Sequence, residues 1–179
     1  MTRSTIYSTL CILLLLLTAQ PAPAAAAEVE LVRVDDGRKQ PLSDYLGQGK
    51  WVLINVWSPT CSACVRELPE IEAFRRKHAD DVQILGLTID FPSFGYGRMD
   101  IIKEFLQTTP LQYPLFLADI ELASRVIGNW LIAIPLMAIV HPDGRVLARW
   151  PGYVDTNEIE DFMQNYERYT QDDELSVDF

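Results

Sequence analysis

The chain has 179 residues, with 25 acidic against 15 basic side chains and a formal charge of −10 at pH 7. That balance argues against binding a phosphate backbone or an anionic membrane surface, both of which need clustered cations, so no nucleic-acid partner is expected. Once a leader is removed, about 150 residues remain, enough for one domain with a full core and no disulfide framework.

The N-terminus has the layout of a secretory signal. Arg3 precedes the apolar run Leu10 to Ala19, and "QPAPAAAAE" then supplies small residues that a signal peptidase accepts. The best A-x-A fit ends at Ala27, with Ala24 as the alternative, so residues 1–27 read as a removable signal peptide. Loss of Arg3 would take the charge to −11. A spanning helix needs about 20 apolar residues and this run is shorter, so membrane contact is expected only if the segment is kept as an anchor. The expected location is periplasmic or otherwise exported. Cleavage also removes Cys11 and leaves Cys61 and Cys64, which an oxidising compartment can hold as a disulfide.

Downstream, Val29 to Val34 alternates apolar and polar residues and meets Asp36-Gly37, which predicts a short N-terminal hairpin. Trp51 to Trp57 is a near-continuous apolar run, the mark of a strand buried on both faces. From Cys64 the period changes. Val65, Leu68, Ile71 and Phe74, with Glu67, Glu70, Arg75, Arg76 and Lys77 between them, fit a helix with one apolar stripe. Val82 to Ile89 reads as a second buried strand, closing a right-handed βαβ unit.

Asp90 to Arg98 is a loop rich in Gly and aromatics, including Phe91, Phe94 and Tyr96. A helix near Asp100 to Gln107, a Pro-bounded segment Tyr113 to Ala118 and a helix Ile120 to Gly128 follow. Pro135 to Trp150 gives two strands around Asp143-Gly144. A last helix is predicted from Thr156 or Asn157 to about Tyr169, leaving residues 170–179 as an acidic, mobile tail. The expected fold is α/β: a mixed central sheet with a parallel core, flanked by helices, with an extra N-terminal β-hairpin, in one domain over residues 28–169.

The C-x-x-C pair admits three uses. Structural zinc needs four ligands, and His78 and His141 have no short-spaced partner, so no metal or other cofactor is expected. A structural staple closing two intervening residues removes little unfolded-state entropy. A redox centre has a positive reason to exist. The unpaired N–H groups and dipole at a helix N-terminus stabilise a thiolate, favouring Cys61 as the attacking sulfur and Cys64, one turn in, as the resolving one.

"NVWSPTCSACVRELP" (Asn55 to Pro69), "AIPLMAIVHPDGRV" (Ala133 to Val146) and the lead-in "LSDYLGQGKWVLIN" resemble the exported TlpA/ResA-like thiol-disulfide oxidoreductases of the thioredoxin superfamily. The resemblance covers about residues 29–166. It implies that Pro135 is the family's cis-proline lying against the dithiol and that Ile134 offers backbone groups to a substrate strand. It implies that Glu67 exchanges a proton with Cys64, because Asn55 stands where cytosolic thioredoxins carry a buried aspartate and an amide cannot carry the proton. The catalytic set is therefore Cys61, Cys64, Glu67 and Pro135, with Trp57, Thr60 and Ile134 on the substrate side.

The departures are Thr60, where the family has tryptophan, and Ser62-Ala63 between the cysteines, without the usual Pro or Gly. The implied activity is reduction of disulfides in client proteins, with apocytochrome c haem-attachment cysteines among the candidates, fed by an upstream thiol-disulfide electron donor. Two alternatives stay open. A thiol peroxidase pattern P-x-x-x-[ST]-x-x-C finds Ser58 in register but Ile54 where proline belongs. A non-catalytic thioredoxin-fold binding or chaperone module is compatible with Thr60.

Overall fold

A computed structural model describes residues 28–89 and 99–175, with side chains to residue 166. The leader, the 90–98 loop and the last residues of the tail lie outside the described residues.

The strands are β1 (Glu30–Arg33), β2 (Lys39–Pro41), β3 (Trp51–Trp57), β4 (Val82–Ile89), β5 (Leu115–Ala118), β6 (Leu136–Val140) and β7 (Val146–Pro151). The helices are α1 (Ser62–Lys77), α2 (Met99–Thr108), α3 (Ile120–Ile127) and α4 (Thr156–Leu175). All strands join one seven-stranded sheet in the order β2-β1-β5-β4-β3-β6-β7. The parallel core is β3, β4 and β5, with β3 and β4 in register from Trp51 opposite Val82 to Trp57 opposite Thr88. β6 and β7 extend it antiparallel, with a bulge at Ile139/Val140.

The N-terminal hairpin is not an appendage. β1 pairs antiparallel with β5, Val32 opposite Leu117, so the hairpin is an edge of the main sheet.

Local sequence explains the boundaries. Asp119 caps α3 by accepting the Leu122 N–H at 2.7 Å, and Gly128 ends it at φ 64°, a conformation glycine adopts without a steric cost. α4 continues six residues past the predicted end at Tyr169. Gln171, Glu174 and Leu175 are good helix formers, and no Gly or Pro interrupts the segment.

The alternation of β3 sorts its side chains into two cores. Val52, Ile54 and Val56 face α3, packing with Val126 and Ile127. Leu53 and Trp57 face the other way, beneath Cys64, Leu68, Ile71 and Phe74 of α1, with Ile102 of α2 and Ile159 of α4. Asn55 shares that second face because the strand period is 2. The polar residue in an apolar strand thus lies under the helix that carries the cysteines.

Candidate active site

β3 ends at Trp57, and Ser58-Pro59-Thr60 turns the chain into α1. The turn is tied by hydrogen bonds. Cys61 N–H donates to Ser58 O at 3.1 Å, and Ser58 Oγ lies 3.0 Å from Thr60 Oγ1. Ser58 is buried while Thr60 is exposed on the rim.

Cys61 is the N-cap of α1. Its Sγ accepts the Cys64 N–H at 3.2 Å, and its carbonyl accepts the Val65 N–H at 3.0 Å. The two cysteines form a disulfide with Cα atoms 5.2 Å apart. Cys64 is 0% exposed, whereas Cys61 is half-buried. A partner sulfur in solution can therefore reach Cys61 but not Cys64.

Glu67 follows Cys64 by one turn and is buried. Desolvation, then the charge of Glu70, pushes its carboxyl up to about 7. Near neutral pH such a group both gives and takes a proton readily.

Below the helix, Asn55 lies opposite Gly86 on β4 and Met137 on β6. Among the described residues, the Asn55 amide, Trp57 Nε1, Thr88 Oγ1 and Tyr113 Oη are buried with no hydrogen-bond partner. A Cβ on Gly86 would approach Tyr113 Cε2 to 3.0 Å and Trp57 Nε1 to 3.5 Å, so the glycine is what lets these polar groups gather. Burial holds the Tyr113 hydroxyl firmly protonated.

Trp57 requires a correction to the sequence reading. Its side chain is 0% exposed and packs on Phe105 of α2, ring centroids 5.5 Å apart. It forms a floor under the dithiol and presents no surface to a client. The Ile134–Pro135 peptide bond is cis. Pro135 is buried, and its carbonyl accepts the Gly152 N–H at 2.7 Å. Ile134 is half-buried and packs against both cores, and Cys61 packs against the one beneath α1.

Three large side chains stand exposed on the segments that flank or bond to Pro135. Trp130, Ile132 and Tyr153 are 65%, 73% and 63% exposed, and each is tied to Pro135 by sequence or by a neighbour's hydrogen bond. Trp130 and Ile132 precede it by five and three positions, and Tyr153 follows Gly152, which bonds to it. Leu131 is buried between the first two, its N–H donating to Ser124 Oγ at 3.0 Å. The available signal was a tryptophan and an isoleucine outside any amphipathic pattern. Glu70, a polar helix position in the sequence, accepts from Tyr153 and Thr156 through its carboxylate. Among the described residues, no group of three His, Cys, Asp or Glu side chains is placed to hold a metal.

A parallel-cored sheet, a cysteine pair opening the helix after its central strand and a cis-proline at the start of the antiparallel strand define a thioredoxin-fold thiol-disulfide oxidoreductase. Comparison with protein families matches residues 18–149 to the AhpC/TSA family, and the chain belongs to that family. Among curated proteins, it is similar to a thiol-disulfide oxidoreductase ResA of Bacillus cereus. The two are 24% identical over 131 residues, which cover 72% of this chain and 69% of the relative. It also resembles the thioredoxin-like protein YneN of Bacillus subtilis, 28% identical over 81 residues and 45% of each chain. Among solved structures, the exposed lipoprotein thioredoxin of Streptococcus pneumoniae aligns with a TM-score of 0.62 and 24% identity, over 78% of this chain and 99% of the other. A DsbF homologue from Corynebacterium diphtheriae aligns with a TM-score of 0.63 and 18% identity, over 77% and 83%. These structural likenesses establish the fold.

Proposed function

We propose that the protein is exported behind the 1–27 leader and reduces disulfides in client proteins through the Cys61–Cys64 dithiol. The observation that carries this reading is the asymmetry of the pair: Cys61 reachable at the helix N-terminus, Cys64 sealed above Glu67.

The chemistry follows from that asymmetry. The Cys61 thiolate attacks a client disulfide, forming a mixed disulfide and releasing one client thiolate, which takes a proton from solvent. Cys64 then gives its proton to the Glu67 carboxylate and attacks Cys61 Sγ. The mixed disulfide breaks, the second client thiol leaves, and the enzyme is left oxidised. An upstream thiol-disulfide donor returns the two electrons. The resemblance to TlpA/ResA-like proteins supports a client side made of Ile134, Pro135 and Thr60. Apocytochrome c cysteine pairs are the client class suggested by the resemblance to TlpA/ResA-like proteins.

The test is capture of clients by Cys64→Ser, which can form the mixed disulfide but not resolve it, with Cys61→Ser as control. The reading predicts client adducts on Cys61 that dithiothreitol releases, and none in the control. Rapid turnover of hydrogen peroxide without disulfide reduction would favour a thiol peroxidase. Biological activity unaffected by Cys61→Ser would favour a binding module.

A further inference from the structure

The cysteines and two carboxylates of α1 recur at a three-residue spacing: Cys61, Cys64, Glu67, Glu70. Side chains three apart on a helix are neighbours, so each can act on the next. Glu67 is buried and makes no hydrogen bond among the described residues. Glu70 is held from outside the helix. Its Oε2 accepts the Tyr153 hydroxyl at 2.5 Å, and its Oε1 accepts Thr156 Oγ1 at 3.1 Å and Thr156 N–H at 3.3 Å.

Thr156 opens the 20-residue helix α4, so the Glu70 carboxylate lies against a helix N-terminus, where negative charge is favoured. The segment that holds it is also anchored at the cis-proline, because Gly152, beside Tyr153, donates to Pro135 O. Two carboxylates one turn apart thus have opposite surroundings, one desolvated and one surrounded by donors.

We propose that Glu70 is a positioning residue for the proton relay: its carboxylate, held by Tyr153 and Thr156 one turn from the buried Glu67, acts together with burial on the Glu67 carboxyl and so helps to set the pH at which Cys64 resolves the mixed disulfide. This inference rests on the relay assigned to Glu67 above.

The other groups facing Glu67 do not supply such a charge. Cys64 is its proton partner. Asn55 on β3 is uncharged. Tyr113, ahead of β5, and Tyr153 are both pushed towards the neutral form. The Glu72–Arg75 pair acts on Tyr113 and is internally compensated, at 2.9 Å. Asp155 acts on Tyr153.

The experiment is a single-turnover pH profile of peptide-disulfide reduction by the mature protein, from about pH 5 to 9, for wild type, Glu67→Gln, Glu70→Gln and Glu70→Asp. Gln at position 70 keeps the size and a side-chain acceptor while removing the charge. The wild-type rate should rise through a midpoint near neutrality, and Glu67→Gln should flatten that rise. Glu70→Gln should move the midpoint down by about 0.5 to 1 pH unit, and Glu70→Asp should restore most of it. Raising salt should lower the wild-type midpoint but not that of Glu70→Gln. A merely structural tie between α1 and α4 would change stability and leave the midpoint in place. A midpoint lost in Glu67→Gln but unmoved in Glu70→Gln overturns the role of Glu70 alone. A wild-type profile unchanged in Glu67→Gln overturns the relay and this inference with it.

Discussion

The backbone N–H of Cys64 donates to Sγ of Cys61 across 3.2 Å, so the nucleophile of the pair caps the helix that buries its partner. The cap places the reachable sulfur on unpaired helix N–H groups and stabilises its thiolate. Reduced protein treated with limiting iodoacetamide at pH 7 is therefore expected to label Cys61 at least about tenfold faster than Cys64. Peptide mass mapping reads the ratio; equal labelling would contradict the asymmetry.

Glu67 also predicts a pH dependence of stability. Its folded-state value is raised to about 7 from 4.5, so between those values the folded protein binds more protons than the unfolded chain. Stability should then fall as pH rises from about 4.5 to 7 and level off above that. Glu67→Gln should lack this loss and exceed wild type by about 1 to 2 kcal/mol at pH 8. Urea unfolding of the oxidised proteins at pH 5 and 8 measures it; parallel losses in both proteins would rule it out.

Gly86 tests the floor of the site. A methyl group there would clash with Leu115 Cδ2 and meet Tyr113 Cε2 at 3.0 Å, both from buried side chains. Gly86→Ala is expected to cost about 1 to 3 kcal/mol by overpacking. An unchanged urea midpoint would show that Tyr113 can move aside freely.

The rim should matter to protein clients and not to small disulfides. Trp130 and Ile132 stand exposed on a loop fixed by Ser124, three to five residues before Pro135. Trp130→Ala with Ile132→Ser should raise KM for a protein disulfide about five- to tenfold while leaving a small aromatic disulfide reagent unaffected. Equal effects on both substrates would place the defect in the dithiol.

The elements legible in the sequence are those with local signals. Trp51 to Trp57 and Val82 to Ile89 read as buried parallel strands because both faces are covered, and the change of period at Cys64 exposes the helix start. The pairing of β1 with β5 was not legible, since a four-residue strand carries little register information. The burial of Trp57 depends on Phe105, 48 positions away in sequence, which no periodicity in β3 reports. Glu70 reads as one more polar residue on an amphipathic helix. Its partners Tyr153 and Thr156 lie 83 and 86 positions further on, and only the fold brings them together.

The central claim is that the Cys61–Cys64 couple donates electrons to clients. It is tested most directly by equilibrating the mature protein in dithiothreitol or glutathione buffers and counting alkylated thiols by mass, with Cys61→Ser as control. The account predicts a reversible couple at or below about −250 mV, whereas a value near −120 mV would mark an oxidant and contradict the proposed direction of flow.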